Sequence, residues 1–566
     1  MKENKNFIFG LILIIPIIFS SCLYYYEGFL NFGRDFNFYI FSPNLTFDEN
    51  THYFPKVLAF IDNLTFNIND NVDSKNYNFL QFVLIFFSSL IVIIFGDIYA
   101  PFFLDFISIS LLLIINYYFF YKILRLQNIY IFPFLTIYIV FFTYGPFTYN
   151  FYVNLIWDIE LKTYHHIFRQ FSPTLTSICL VIGIIAHYNV YKFDKLNIFN
   201  FILIVLSYFA YGFNSIIQII FFSLSFCYLF LFGEKKQIII KLYLINLITF
   251  FIWYYFQTVF FDNKWFSKFL LYASNDYNFE VTKNLINLFF ISINLFLFYK
   301  NKNYNFLFLG IFLISCLILF NISFIVGYDP KLYHADMYFA KPAQWISLFL
   351  FINLVNDKFF LKIIKIIALS VSILFFLSHK NFVEKIFYKY SDFMTEQQDK
   401  RDSFKKIKNI VKNSLVHTLD PHFILYGFYT TSSKNFIYSS DYNLTLPPKN
   451  NLINFIKLAD YLNLSRDLQH TMITNKKLFF LNGKHNMYQH IIFLQDSPND
   501  LNFKMSLVEG QKTNLKKFIN DYKNKNKNLN FKYLLISKKN KKKFNYFIDS
   551  NLSLIYEDEN YLLFNK

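Results

Sequence analysis

Charged residues are thin along this chain. Asp, Glu, Lys and Arg together fill 16% of its 566 positions, against 55% hydrophobic and 23% aromatic residues. That balance excludes an ordinary soluble protein of this length, which carries more charge and fewer long apolar runs. Cysteine is sparse too. The four, Cys22, Cys179, Cys227 and Cys316, all lie within or at the end of apolar runs, and the polar C-terminal region has none. Their spacing fits neither a zinc site nor a disulfide framework. The C-terminal region also lacks a glycine-rich phosphate loop, a nucleophile elbow and an internal repeat, so its sequence points to no nucleotide-binding or serine-hydrolase chemistry. Ionisable groups are almost missing from the apolar runs, with Asp105 an exception. Ion-coupled transporters usually place carboxylates or interrupted helices at the bilayer midplane, so this scarcity argues against transport.

What remains is a succession of apolar runs near the length needed to cross a hydrocarbon core, about 17 to 25 residues. The expected fold class is a polytopic α-helical membrane protein of about eleven spans, within a range of about 10 to 13, with a C-terminal extracytoplasmic α/β domain. The first span covers roughly Phe7 to Tyr26. The others are 102–121, 128–145, 173–190, 197–212, 214–232, 238–256, 284–299, 304–327, 343–356 and 361–378. Segment 79–96 is ambiguous, and charge decides it. If it lies along the outer face, the basic loops at Lys122/Arg125, Lys192/Lys195, Lys235/Lys236, Lys300/Lys302 and Lys358/Lys362 all fall in the cytoplasm, as the positive-inside rule prefers. The N-terminus is then cytoplasmic, and the C-terminal domain lies outside a cytoplasmic (inner) membrane. The net charge of +17 is thereby assigned to loops that orient the chain and meet anionic membrane lipids, not to nucleic acid.

Two domains are expected: a multispan domain over 1–380, with outer loops at 27–101, 146–172 and 328–342, and an α/β domain over 381–566. In the latter, Phe531 to Ser537 reads as a buried strand, 538–548 as a basic helix, and Ser553–Tyr556 with Tyr561–Phe564 as a hairpin around Glu557-Asp558-Glu559-Asn560. The lysines at 538, 539, 541, 542 and 543 read as a solvated helix face or a contact to anionic headgroups.

Three polar constellations fall in the expected outer loops. The first is Asp48, Glu49 and His52, with Lys56 beyond. Thr46 and Glu49 have capping-box spacing, and Asp48 shares a helix face with His52. A carboxylate here is placed to deprotonate an acceptor hydroxyl or amine, and Lys56 to meet a donor phosphate as a point charge. A simple helix cap is the plainer reading. The second is Asp158 and Glu160, followed by His165, His166 and Arg169. Two carboxylates two residues apart can hold a divalent cation through oxygen, and Arg169 can grip phosphate bidentately. Solvated loop charges are the plainer alternative. The third is His334 and Asp336 with Lys341, notable mainly for sharing a face with the other two.

Together these features resemble the GT-C superfamily of membrane glycosyltransferases, which includes protein O-mannosyltransferases, lipid A aminoarabinose transferases and oligosaccharyltransferase catalytic subunits. The likeness rests on Asp48-Glu49 followed by Tyr53 and Ala59, on segment 79–96 ending in Phe95-Gly96-Asp97, and on the span that follows it, ending between Lys122 and Arg125. It rests also on Asp158 with Glu160, on Arg169 to Pro173, and on the C-terminal stretches Tyr533-Leu-Leu-Ile and Ile555 to Phe564. No Trp-Trp-Asp-type motif is present, which argues against N-glycosylation.

The resemblance implies a polyprenyl-phosphate sugar donor and transfer outside the cytoplasm to a lipid, glycan or protein acceptor. In that reading Asp48, with Glu49, is the catalytic base. Lys56, Arg169, His334 and Lys341 bind the donor phosphate, and Asp158 and Glu160 bind acceptor or metal. Mg or Mn is the candidate cofactor, with Asp48, Asp158 and Glu160 as its ligands. A surface-polysaccharide polymerase or ligase of another fold, and a non-enzymatic transporter or scaffold, are the rival classes.

Overall fold

A computed structural model describes residues 2–33, 57, 60–61, 82–146, 174–210, 212–258, 281–321, 336–411, 414–424, 434–437, 448–474, 480–481, 485–486, 509–522, 529 and 531–566. The chain divides into two compact units. One comprises 1–35, 78–259 and 273–389, and the other 36–77, 260–272 and 390–566.

The first unit is helical. Its elements are α1 (Lys2–Phe32), α2 (Phe82–Tyr118), α3 (Asn128–Phe141), α4 (Thr176–Phe193), α5 (Ile198–Tyr208) and α6 (Gly212–Phe232). They continue with α7 (Lys236–Thr258), α8 (Val281–Asn301), α9 (Tyr304–Phe320), α10 (Lys341–Val355) and α11 (Lys358–Val411), whose residues from 390 onwards belong to the second unit. Each expected span overlaps one of these helices, though residues 173, 211 and 322–327 of the expected spans lie outside the described residues. Seven helical stretches are long and apolar enough to cross a membrane: Asn6–Phe32, Tyr99–Ile123, Thr176–Phe193, Asn214–Phe232, Lys236–Tyr255, Thr282–Asn301 and Lys358–Lys385. Phe82–Gly96, Asn128–Phe141, Ile198–Tyr208 and Tyr304–Phe320 are shorter. Large apolar side chains such as Ile198, Leu231, Phe232 and Phe359 stand exposed on these helices. A helix apolar around its whole circumference needs a lipid or protein surround.

Segment 79–96 gains a structural description over 82–96. Gly96 adopts φ 75°, ψ 163° and breaks α2, a backbone state open to glycine but costly for other residues. The helix ahead of the break, Phe82–Gly96, has 15 residues. At 1.5 Å per residue it rises about 22 Å, short of a ~30 Å hydrocarbon core.

Five basic connections are tight turns with local stop and start signals. Arg125, Asp194, Lys302 and Asn356 take left-handed φ of 49° to 54°, ending the preceding helices. Asn197 and Asn303 accept backbone N–H groups of Asn200 and Asn305 at 2.7 and 3.0 Å, and Asp357 accepts that of Phe359 at 2.6 Å. These are side-chain caps of the helices that follow. Lys235 donates to the terminal carbonyls of Tyr191 and Lys192 on α4. Turns of this length make antiparallel neighbours, and α4–α5, α6–α7 and α8–α9 pack along one another. Their core runs from Leu180 and Tyr208 through Phe221, Phe312 and Cys316 to Phe339.

The second unit is built on a five-stranded sheet of order β2-β1-β5-β7-β6. The strands are β1 (Leu415–His417), β2 (Lys434–Asn435), β5 (Tyr533–Ser537), β6 (Ser553–Glu557) and β7 (Tyr561–Asn565); β3 (Phe480–Leu481) and β4 (His485–Asn486) form a separate pair. Strand β1 is parallel to β2 and to β5, and β7 is antiparallel to β5 and β6.

Alternation along the strands gives the sheet two apolar faces. Val416, Tyr533, Leu535, Tyr561 and Leu563 pack with Phe404, Ile407 and Val411 of α11. Leu534, Ile536, Leu562 and Phe564 pack with residues of α12 (Pro448–Tyr461), α13 (Arg466–Thr474) and α14 (Glu509–Asp521). The result is a helix–sheet–helix sandwich. The expected strand and hairpin are present. The basic helix is shorter than expected: α15 covers Lys538–Phe544 and stops where Asn545 turns left-handed.

Candidate functional site

Most residues proposed for chemistry lie outside the described part of the structure. These are Asp48, Glu49, His52 and Lys56 of the first loop, Asp158, Glu160, His165, His166 and Arg169 of the second, and His334 of the third. The proposed metal ligands Asp48, Asp158 and Glu160 are among them. Among the described residues, no three His, Cys, Asp or Glu side chains gather as a metal centre.

Lys341 and Asp336 are described, and they are joined. Lys341 Nζ lies 3.1 Å from Asp336 Oδ2, with the carboxylate side chain 4% exposed and the lysine 20%. The local backbone explains the pair. Asp336–Ala340 is a π-helical turn that runs directly into α10. A π turn bonds residues five apart, so positions 336 and 341 come together, whereas an α-helix would turn them away from each other. Pro342 sits in the first turn of α10, where its missing N–H costs nothing. Lys341, expected from sequence to be a free cation for a phosphate, is thus half of an ion pair.

A polar seam continues from this pair. Gln344 and Ser347 follow Lys341 at helical spacing on α10, opposite Asn287 and Asn294 of α8. Gln344 Nε2 donates to Asn287 Oδ1 at 2.9 Å, and Asn294 Nδ2 donates to Ser347 Oγ at 2.9 Å. All four are buried. Amide and hydroxyl groups at these positions hydrogen-bond helix to helix in an apolar surround.

Two further polar contacts lie inside expected spans. Tyr25 of α1 donates to Asp105 of α2, and both groups are buried. The sequence reading passed over His187, in the middle of α4. Its Nδ1 is 2.7 Å from the Gly183 carbonyl. A carbonyl can only accept, so Nδ1 carries the proton and Nε2 is an acceptor. Asn246 Nδ2 then donates to Nε2 at 2.8 Å, leaving Asn246 Oδ1 to accept from the Tyr208 hydroxyl at 2.6 Å. The ring stacks on Phe222 at 3.6 Å. Both nitrogens are used by a neutral imidazole, which suits helix positioning and not ion carriage. A scan for carboxylates misses it because a single His in an apolar run carries no spacing signal.

The C-terminal unit holds a second collection that sequence reading did not find. Asp420, three residues beyond β1, is buried. Its Oδ1 accepts from the Tyr561 hydroxyl and the Phe423 backbone N–H, each at 2.9 Å, and its Oδ2 accepts from Asn540 Nδ2 at 3.2 Å. Lys400, Arg401 and His422 are buried in the same unit. Burial, followed by the positive charges of Lys400 and Lys539, holds the His422 imidazole well below its ordinary pKa. Positions 400, 420, 540 and 561 are far apart in sequence, so only the sheet topology reveals the grouping. No protein-family model and no curated protein matches this chain.

Proposed function

We propose that this chain is an inverting membrane glycosyltransferase that moves a sugar from a polyprenyl-phosphate donor to a lipid, glycan or protein acceptor on the outer face of the membrane. The observation that carries this reading is how polar groups are divided in the helical unit. Among the described residues, the buried polar side chains of the expected spans are mostly neutral, Asp105 being an exception, and several bond helix to helix, as in the His187–Asn246–Tyr208 network. Lys241, Lys362 and Lys365 fall within expected spans, but most charged residues of this unit stand towards helix ends or between helices. That distribution suits chemistry at the boundary of the bundle better than passage through it.

The same helices support one orientation. Five basic turns at the ends of α2, α4, α6, α8 and α10 fall on one side if each following helix recrosses. The positive-inside rule makes that side cytoplasmic. The short Phe82–Gly96 helix, set off by the break at Gly96, then lies along the outer surface, and the long acidic loops lie outside with it.

In this reading Asp48, assisted by Glu49, takes the proton from the acceptor hydroxyl or amine as that atom attacks the anomeric carbon. The bond from that carbon to the phosphate oxygen breaks, and the configuration inverts. Negative charge grows on the departing polyprenyl phosphate, where Lys56 and Arg169 stabilise it as fixed cations; Lys341, held by Asp336, and His334 extend this basic lining. Asp158 and Glu160 orient the acceptor or hold a divalent cation.

The test compares surface glycans and lipid-linked sugars, by mass analysis, in cells with and without the gene. One glycan should lose a sugar while the matching polyprenyl-phosphate sugar accumulates. Identical glycans and lipid-linked sugars in the two cell types would overturn the proposal.

A further inference from the structure

We propose that the turn closing α15 is a docking surface for an anionic phospholipid membrane, with Lys541 and Lys542 meeting headgroup phosphates and Phe547 entering the headgroup–acyl boundary. The inference is independent of the transferase reading, because it rests on the sheet unit and on the multispan character of the chain.

The sequence supplies the positive charge. Residues 538–548 contain five lysines and no Asp or Glu. The fold then sorts those lysines. Asn540 and Phe544, one helical turn apart on α15, are buried, so that face of the helix meets the domain and Lys541, Lys542 and Lys543 stand outward. Lys538 is tied to Glu557 at 2.6 Å, and Lys543 lies over the Phe544 ring, 5.5 Å from its centroid. Lys541 and Lys542 are exposed, and neither makes an ion pair among the described residues. They are the two cations a headgroup would meet.

The backbone then presents an aromatic ring beside them. Asn545 turns left-handed, and the N–H groups of Asn545 and Tyr546 both return to the Lys541 carbonyl, which ends the helix. Beyond this cap the side chains alternate. Tyr546 turns inward and stacks on Phe544, with ring centroids 5.9 Å apart, while Phe547 turns outward. The Phe547 N–H donates to the Leu462 carbonyl at 3.1 Å, just past the end of α12. Its backbone is thus pinned, yet its side chain is 57% exposed. Holding a large apolar ring in water is unfavourable, and covering it recovers that cost.

Charge and apolarity together select the occupant. Lysines near a membrane surface attract anionic headgroups, each strengthening binding by about fivefold. An aromatic ring between them settles at the headgroup boundary. The chain also supplies the bilayer. Residues of α11 from 390 onwards belong to the sheet unit, and the same unbroken helix carries the apolar stretch Lys358–Lys385. A unit covalently tethered to a span meets lipid at high effective concentration, so a few contacts suffice.

Amine-reactive footprinting of the purified full chain tests the proposal. Single chains are placed in nanodiscs of phosphatidylcholine, alone or mixed with phosphatidylglycerol, and acetylation of each lysine is read by mass spectrometry. Phosphatidylglycerol should slow acetylation of Lys541 and Lys542 about fivefold relative to Lys517, an exposed lysine of α14 in the same unit. High salt should restore the rate. Phe547→Ser, at an exposed position outside the core, should remove most of the protection. Equal rates with and without phosphatidylglycerol, equal slowing at Lys517, full protection in phosphatidylcholine alone, or a Phe547→Ser variant protected as well as the parent would each overturn the proposal. Protection in detergent that grows with protein concentration would give the face to a second copy and overturn it as well.

Discussion

The helical unit and the sheet unit both bury polar side chains, but of opposite kinds. In the helices the buried groups are mostly neutral: Asn, Gln, Ser, Thr and Tyr, with the imidazoles of His187 and His379. In the sheet unit they include Asp420, Lys400, Arg401, His417 and His422. The surroundings account for the contrast. A helix that meets lipid on one side cannot bring a charge into its core without a large desolvation cost, so its polar groups serve as short hydrogen-bonded links. A sheet edge opens to water along one rim, and there a charge can be half-sheltered at lower cost. Buried polarity therefore links helix to helix in the first unit, and in the second it ties strands and loops together through the ionisable carboxylate of Asp420.

The comparison is broken most sharply at Asp48, where chemistry is assigned to a loop and to neither interior. Asp48→Asn should lower transfer by about 10²- to 10⁴-fold, the range for loss of a general base, while the thermal unfolding of the purified chain stays unchanged. A variant keeping more than half of the turnover would end the assignment. Next in size is the Asp420 network of the sheet unit. Asp420→Ala strips the partners from Asn540 and Tyr561 at once. Breaking a buried charged network of this kind costs about 3 to 5 kcal/mol. Hydrogen exchange read by mass spectrometry should speed up at 414–424 and 533–565, and helices α4 to α9 should keep their protection. Uniform change in both units, or none in either, would contradict the contrast.

Much of this architecture is legible in the sequence, for identifiable reasons. Helices α4 to α11 could be read because apolar runs alternate with Lys-, Asn- and Asp-bearing turns whose residues cap helices by themselves. Strand β5 and the β6–β7 hairpin could be read because five buried residues in a row and a polar Glu557–Asn560 turn are local signals. The change of composition near Ser378 lies close to the division of the two units at 389/390 but marks no break in secondary structure: α11 continues to Val411, because polar residues sustain a helix as well as apolar ones do. The Asp336–Lys341 pair depends on a π turn that no spacing rule announces. The Asp420 edge joins positions up to 141 residues apart, and only the strand order brings them together.

Acid should separate the two units as well. His417 ends β1, is 1% exposed, and lies between the rings of Phe436 at 4.2 Å and Phe531 at 5.4 Å. Burial lowers its pKa from 6.5 to about 4. The unfolded chain takes up a proton near pH 6.5, and the folded domain does so only near pH 4. Stability is thus full above pH 6.5, falls as pH drops through that window, and levels off below it, by about 3 kcal/mol in total. His422, lowered for related reasons, acts in the same direction. His417→Phe keeps the aromatic stack and removes the proton, so it should flatten part of the pH dependence measured by hydrogen exchange at 531–537. An unchanged profile in that variant would show that His417 does not titrate as its burial requires.

The smallest effect is expected inside the helical unit, and it probes the neutral half of the contrast. Asn246→Leu removes the donor to His187 and the acceptor for Tyr208. Interhelical hydrogen bonds of this type contribute about 0.6 to 1.7 kcal/mol each, and two are lost, together with the cost of leaving the imidazole and phenol unmatched. A loss of about 1 to 3 kcal/mol in detergent-titration unfolding is therefore expected, below that of Asp420→Ala. The double variant His187→Leu/Asn246→Leu sharpens the point, because replacing both partners by apolar groups can be nearly neutral where replacing one is not. If the network only positions helices, the double variant should recover part of the stability lost in the single one and keep transferase turnover. A double variant that folds as well as the parent yet has lost turnover would give His187 a role in the reaction and would remove the distinction between the two interiors.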